Sequence, residues 1–575
     1  MRKETVKNYF ASKFKNIFDV LHNLCLNSSY LITVMLQVNE MRRSLMFPVR
    51  RIIDELRGMT TFSVYLCCSL LLLVDQSRAR ISGDLIVETN KGKVQGFETA
   101  TSDGKRVSAW YSIPYAQPPV GNLRFRHPRS LDPWEGVKKT HDLPNSCVQV
   151  KDTMWEGFSG SEAWNTNTPQ SEDCLYLNVV VPRPHPKNAA VIIWIYGGGF
   201  WSGTTTLDLY DLRAMAATQD VIMVGIQYRV ASLAFLYFDT EDVPGNAGMF
   251  DQLHAIQWVK DNIAAFGGNP NNITLMGESA GACSVSLHLL SPLSRNLFSQ
   301  AIMQSASALA PWGVVSKMEA LRRSNILAKN HGCPHDGADV RQSIECLRKL
   351  PAEELVLKEW DNITHGFTGG IGVFTPIVDG SFLDESPGAA MRSGNFKKAN
   401  ILLGSNKDEG NYFVLYSFFE LFPREEEVFI NRKQFTQLIG QAYPFSNKLQ
   451  RKAIEFEYTN WLNPEDPASN REAVDRMTGD WEFTCPVVDF AHKYAETGNN
   501  VYMYYFAERA SVSPWPKWTG AMHADEIAFV FGQPLNLSLG YSKKEIELSR
   551  RIMTYWANFA KTGYVSLLTH CICTF

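Results

Sequence analysis

Little in this chain is built to touch nucleic acid, to span a membrane or to be cut into modules. From Gly83 onward there is no internal repeat and no low-complexity linker, so no seam marks off independent units. Positive charge is scarce in the body. Residues 1–80 carry 12 Lys+Arg against 6 Asp+Glu, or +6, and the other 495 carry 44 against 53, or −9. An acidic body argues against a nucleic-acid partner and is compatible with a cationic substrate. Apolar runs are short as well. In "MTTFSVYLCCSLLLLVDQSRAR" (59–80) the run from Phe62 to Val74 has 13 residues. That is too short to cross a bilayer comfortably and suits the core of a signal peptide, with Arg50, Arg51 and Arg57 ahead of it. Residues 59–80, opened by Met59, are therefore expected to be a signal peptide, with a membrane signal anchor as the alternative. Residues 1–58 are expected to be an upstream extension foreign to the native protein. What remains, 81–575, reads as a single globular domain, since 45% hydrophobic and 20% charged residues exclude a disordered or fibrous chain.

Cysteine usage points to export. Cys147 and Cys174, and Cys333 and Cys346, lie as loop-closing disulfides would. "HGCPH" (331–335) invites a metal reading through His331, Cys333 and His335, but an oxidising compartment favours a disulfide for Cys333, and no metal is expected. Sequons at Asn272, Asn362 and Asn536 agree with a secreted or cell-surface glycoprotein.

Continuously apolar segments such as "AVIIWIYGG" (190–198), "VIMVGIQYRV" (221–230), "ANILLGSN" (399–406) and "VYMYYFAER" (501–509) read as strands buried on both faces. Helical stretches separate them, including 248–267 and 542–563. The latter opens with Ser542 and Glu545 spaced as a capping box, closes at Gly563 and carries Leu548, Ile552, Tyr555 and Phe559 as its buried stripe. Strands alternating with helices predict one large α/β domain on a mostly parallel sheet.

Chemistry concentrates in a few places. "ITLMGESAGACS" (273–284) joins a strand to a small-residue helix through Gly277-Glu278-Ser279-Ala280-Gly281, a nucleophile elbow in which larger flanking residues would collide. A serine hydroxyl needs a base, an orienting acid and a home for the oxyanion. "YGGGFWSG" (196–203) offers backbone N–H groups at Gly198 and Gly199 to join that of Ala280. His523 in "MHADEIAFVFG" is the candidate base, and His288, nine residues past the serine, reads as structural. For the acid, "KDEGNYFVLY" (407–416) supplies both Asp408 and Glu409, and pattern does not choose between them. The same segment crowds Tyr412, Phe413 and Tyr416 beside those carboxyls.

These strings, with "YAQPPVGNLRFRHP", "SEDCLYLNVVVP" and "LSRRIMTYWANFAKTG", resemble the type-B carboxylesterases from about Gly83 to Gly563. Within them the pattern is nearest the cholinesterase branch and its acetylcholine-hydrolysing members. The resemblance implies an α/β-hydrolase fold, a Ser279–Glu409–His523 triad and no cofactor. It also implies a gorge lined by aromatic faces for a quaternary ammonium ester. Trp164 matches the ring that seats the choline head, with Glu278 adding negative charge nearby and Tyr412, Phe413 and Tyr416 as wall. Asp152 and Trp360 match the gorge mouth. Phe374, Trp312 and Phe413 are expected around the acyl group, where glycines at 369, 370 and 372 leave a roomier pocket. The chain departs from the family at Trp201 and Val150, where some mouth aromaticity is expected to be lost. It departs again after Gly563, where it ends short of the family's length. From that ending, Cys485 is expected to be a free, buried thiol and a dimer is doubtful; a possible membrane or matrix tether, the signal anchor aside, is not expected to be encoded in this chain. The rival enzyme is a general carboxylesterase for neutral esters; a catalytically dead adhesion relative is disfavoured because all three triad residues are present.

Overall fold

The computed structural model describes residues 85–362, 372–425 and 427–566. The chain divides at Asp84/Leu85, and the second unit alone is described. The expected signal peptide and upstream extension, Gly369, Gly370, Ile371, Cys571 and Cys573 lie outside the described residues.

A nine-stranded mixed sheet runs through this unit. Its strands in chain order are β1 (Phe97–Ala100), β2 (Arg106–Pro114), β3 (Tyr176–Pro182), β4 (Ala189–Ile195), β5 (Ile222–Ile226), β6 (Gly268–Glu278), β7 (Gln300–Gln304), β8 (Ile401–Asn406) and β9 (Val501–Phe506). Across the sheet they lie in the order β9-β8-β7-β6-β4-β5-β3-β2-β1. The six from β5 to β9 across that order are parallel, and β3, β2 and β1 add antiparallel strands at one edge. Every residue of β5, β7 and β8 is buried, as unbroken apolar runs demand when helices cover both faces. β9 differs. It is an edge strand, and Met503 and Tyr505 are 51% and 52% exposed although its sequence is as apolar as the others.

The helices used below are α1 (Ala247–Asn262), α2 (Ala280–Leu290), α3 (Gly410–Ser417), α4 (Arg432–Ala442), α5 (Lys448–Tyr458), α6 (Pro467–Gly479), α7 (Cys485–Ala495) and α8 (Lys543–Thr562). α8 carries the full Ser542/Glu545 capping box and ends on Gly563 at φ 79°. Its buried stripe is Leu548, Ile552, Met553, Trp556, Phe559 and Ala560, whereas Tyr555 is half-buried. Both expected disulfides form, Cys147–Cys174 and Cys333–Cys346. Disulfide bonding takes Cys333 out of any metal reading, and the imidazoles of His331 and His335 are turned to the carbonyls of Leu355 and Cys333. Among the described residues no helix is long and apolar enough to cross a membrane.

Candidate active site

The site stands at the carboxyl ends of the parallel strands. β6 enters a sharp turn at Glu278, and Ser279 takes φ 56° and ψ −124° before α2 begins at Ala280. This is a conformation that L residues avoid, held by the Ser279 N–H donating to Gln304 O at 2.8 Å. Neighbouring glycines are required by space. A Cβ on Gly277 would lie 2.5 Å from the Gly281 carbonyl carbon and 2.8 Å from Ile195 O. Upstream, Gly198 and Gly199 adopt φ 102° and 58° just past β4. Among the described residues, the N–H groups of Gly198, Gly199 and Ala280 donate no hydrogen bond.

Asp408 and Glu409 make different contacts. Glu409, at the start of α3, receives the Asn406 N–H on Oε1 at 2.6 Å, and its Oε2 lies 2.6 Å from His523 Nδ1. Asp408 does different work, since its Oδ2 accepts the Ala521 N–H at 2.8 Å and so clips down the loop that carries His523. Nε2 of His523 lies 3.1 Å from Glu278 Oε1, without hydrogen-bond alignment, and both atoms are buried and lack a hydrogen-bond partner among the described residues. Burial alone would lower the imidazole. The pull of Glu278, then of Glu409, outweighs it and pushes His523 up to about 9. Glu278 itself is pushed up to about 8 by burial. Ser279, Glu278, Gly198, Gly199 and His523 line one cavity of about 100 Å³.

Comparison with known proteins decides the lineage. The profile of the Carboxylesterase family matches residues 83–566. The chain belongs to the carboxylesterase family. It is 44% identical to an acetylcholinesterase of Bungarus fasciatus over 499 residues, covering 87% of this chain and 81% of that one. It is likewise 44% identical to a cholinesterase of Mus musculus over 501 residues (87% and 82%), and 42% identical to an acetylcholinesterase of Electrophorus electricus over 526 (86% and 82%). It is a serine carboxylic ester hydrolase of the cholinesterase branch.

The carboxylesterase's cavity has two compartments. Trp164, Trp201, Ser202, Tyr412 and Phe413 border both the inner one and an outer one that adds Gln149, Val150, Asp152, Asn165 and Tyr416. The Cys147–Cys174 disulfide closes the loop that brings Asp152 and Trp164 here. Tyr416 donates its hydroxyl to Asp152 Oδ2 at 2.6 Å, so α3 and that loop are tied across the outer compartment. α3 and its N-cap thus serve both ends, with Glu409 at the imidazole and Tyr412 and Tyr416, one and two turns on, along the wall. Trp312 lines the inner compartment and donates Nε1 to Glu482 O at 3.1 Å. Four sequence expectations need correction. Phe374 is buried in the core at 2% exposure and does not line the cavity, while Gly372 is tied to Gly199 O by its N–H. Trp360 lines neither compartment; among the described residues it meets the wall through Trp201, whose ring it faces edge-on at 5.7 Å. Trp201 keeps the aromatic character thought lost there. Cys485, the first residue of α7, is exposed rather than buried, and has no disulfide partner among the described residues.

Three contributors were missed. Phe483 lies 4.3 Å from the His523 ring and stacks on Phe413 at 4.8 Å. It comes from the π-helical turn Asp480–Thr484, which no pattern announces. Asn406 joins Glu409 to buried Glu526, whose Oε2 accepts the Asn406 Nδ2–H at 2.6 Å. Glu526 stands three residues past His523, a helix-like interval that could have flagged it. His288 is buried against Gln252 Oε1 and held low, at about 3, by that burial, in keeping with a structural role.

Proposed function

We propose that this carboxylesterase hydrolyses choline esters, acetylcholine foremost, through an acyl-enzyme on Ser279. His523 takes the serine proton on Nε2 and later activates water, while Glu409 holds the imidazole by Nδ1 and stabilises the imidazolium. The oxyanion is received by the N–H groups of Gly198, Gly199 and Ala280. Trp164, Tyr412 and Phe413 receive the quaternary ammonium, which has no hydrogen bonds to offer and is drawn to aromatic faces. Tyr416 and Asp152 form the approach. The reading is carried by one observation: the nucleophile, the imidazole and three aromatic side chains, Trp164, Tyr412 and Phe413, line a single cavity. The acetylcholinesterase and cholinesterase names of the relatives point the same way. Export is supported by the two disulfides, which require an oxidising compartment. Of the three sequons, Asn362 is exposed and the first candidate for a glycan, whereas Asn272 donates its amide to Lys561 O at 3.2 Å and Asn536 caps a short turn.

Acetylthiocholine measured against its neutral carbon isostere, in the native chain and in Trp164→Ala, tests this. A desolvated cation–π contact of ~2 kcal/mol predicts that the native preference for the cation drops roughly 30-fold in the variant. Equal turnover of both esters by the native enzyme would instead establish a general carboxylesterase.

A further inference from the structure

A second aromatic cavity shares no lining residue with either compartment of the active site. It lies where α4, α5 and the π-helical turn meet, and its volume is about 620 Å³. Tyr443, Phe445, Tyr458 and Trp481 bring rings to it, and Asp480 and Glu482 bring carboxyls. Trp481 is 54% exposed and meets Tyr443 edge-on with ring centres 6.0 Å apart.

The two carboxyls are not alike. Asp480 Oδ2 accepts the Tyr458 hydroxyl at 3.0 Å. Glu482 is only 7% exposed, yet among the described residues no donor and no cation meets its carboxyl. A buried carboxyl without a partner is costly to ionise, and burial alone pushes Glu482 up to about 8. A ligand carrying positive charge would remove that cost. A bare metal ion would want a shell of oxygens and has no use for four rings. An alkylated ammonium does, because aromatic faces supply both apolar contact and negative quadrupole.

We propose that this cavity is a second binding site for a small organic ammonium ion, seated among Trp481, Tyr443 and Tyr458 with its charge on Glu482. The two sites stand back to back, since Phe483 of the same turn faces His523. A test must therefore read each separately.

Photolabelling of the full chain with a diazirine-bearing trimethylammonium ion, followed by peptide mapping, does so. Adducts are expected on the peptides of Tyr443 and Trp481, in addition to those of the active-site wall. Choline at about ten times its Kd should reduce the Tyr443 and Trp481 adducts roughly tenfold by mass action. The neutral isostere 3,3-dimethylbutan-1-ol should not. Glu482→Gln, which keeps the side chain's shape, and Trp481→Ala, at a half-exposed position, should each remove labelling here and leave that of the active-site wall as internal control. Three results would each overturn the proposal: no adduct at Tyr443 or Trp481, equal competition by the neutral alcohol, or labelling that survives in either variant.

Discussion

Replacing Glu278 by Gln should move the pH profile of hydrolysis to lower pH. The imidazole of His523 lies between two carboxyls, with Nδ1 2.6 Å from Glu409 and Nε2 3.1 Å from Glu278. At 3.1 Å, two unit charges interact by about 5 kcal/mol at an effective dielectric of about 20. At 1.36 kcal/mol per unit, that sets a ceiling of about four pKa units. The effect will be smaller, because burial pushes Glu278 itself up to about 8 and leaves its carboxyl neutral much of the time below that pH. A fall of about one to two units from the native His523 value is the expected outcome. The sign follows from the base's task. Only the unprotonated imidazole accepts the serine proton, so kcat/KM rises with pH up to the His523 pKa and then levels. Gln removes a carboxylate that stabilises the imidazolium, the imidazole gives up its proton sooner, and the rising limb shifts down. The assay is kcat/KM for p-nitrophenyl acetate from about pH 5 to 10, a neutral ester whose own binding does not depend on the Glu278 charge. A limb that stays in place would mean that Glu278 does not set the imidazole's protonation. A limb that moves up would reverse the electrostatic argument altogether.

Ser279→Ala should reduce ester hydrolysis by ~10⁴-fold or more with an unchanged melting curve, and an organophosphate adduct mapped to any other residue would refute the nucleophile. In Gly277→Ala, a Cβ 2.5 Å from the Gly281 carbonyl carbon should force the elbow apart. Overpacking of that kind costs about 1–3 kcal/mol, and a denaturant midpoint equal to the native one would count against the steric account. Replacing both Cys147 and Cys174 by Ala should cost about 2–5 kcal/mol. Because Asp152 and Trp164 lie in the loop this disulfide closes, KM should rise more for a choline ester than for its neutral isostere; a uniform rise would separate the loop from cation recognition.

Features set by local constraint were legible in the sequence. The elbow is one, because its glycines answer to atoms a few residues away and across one neighbouring strand. The ends of α8 are another, since Ser542, Glu545 and Gly563 act within a single turn of backbone. Buried strands were legible as apolar runs, but a run does not report how many neighbours a strand has. Val501–Phe506 reads like Ile401–Asn406 and yet exposes Met503 and Tyr505, because β9 has one partner and β8 has two. A similar shortfall displaced the buried stripe of α8, where Met553 and Trp556 turn inward and Tyr555 is left at the margin.

The choice between Asp408 and Glu409 shows why the rest was hidden. The two carboxyls are neighbours in one loop, and nothing in their own segment distinguishes them. What separates them is the pairing of Asp408 with Met522, which lays the His523 loop alongside and leaves Asp408 bonded to backbone. Glu409 is then turned to an imidazole 114 residues further along the chain. Phe483 is the same case without even a candidate, since a π-helical turn places its ring on His523 and no periodicity in "WEFTCPVV" marks it. Functional identity at these positions is a property of two distant segments meeting, so each segment read alone leaves the carboxyl, or the ring, without a role.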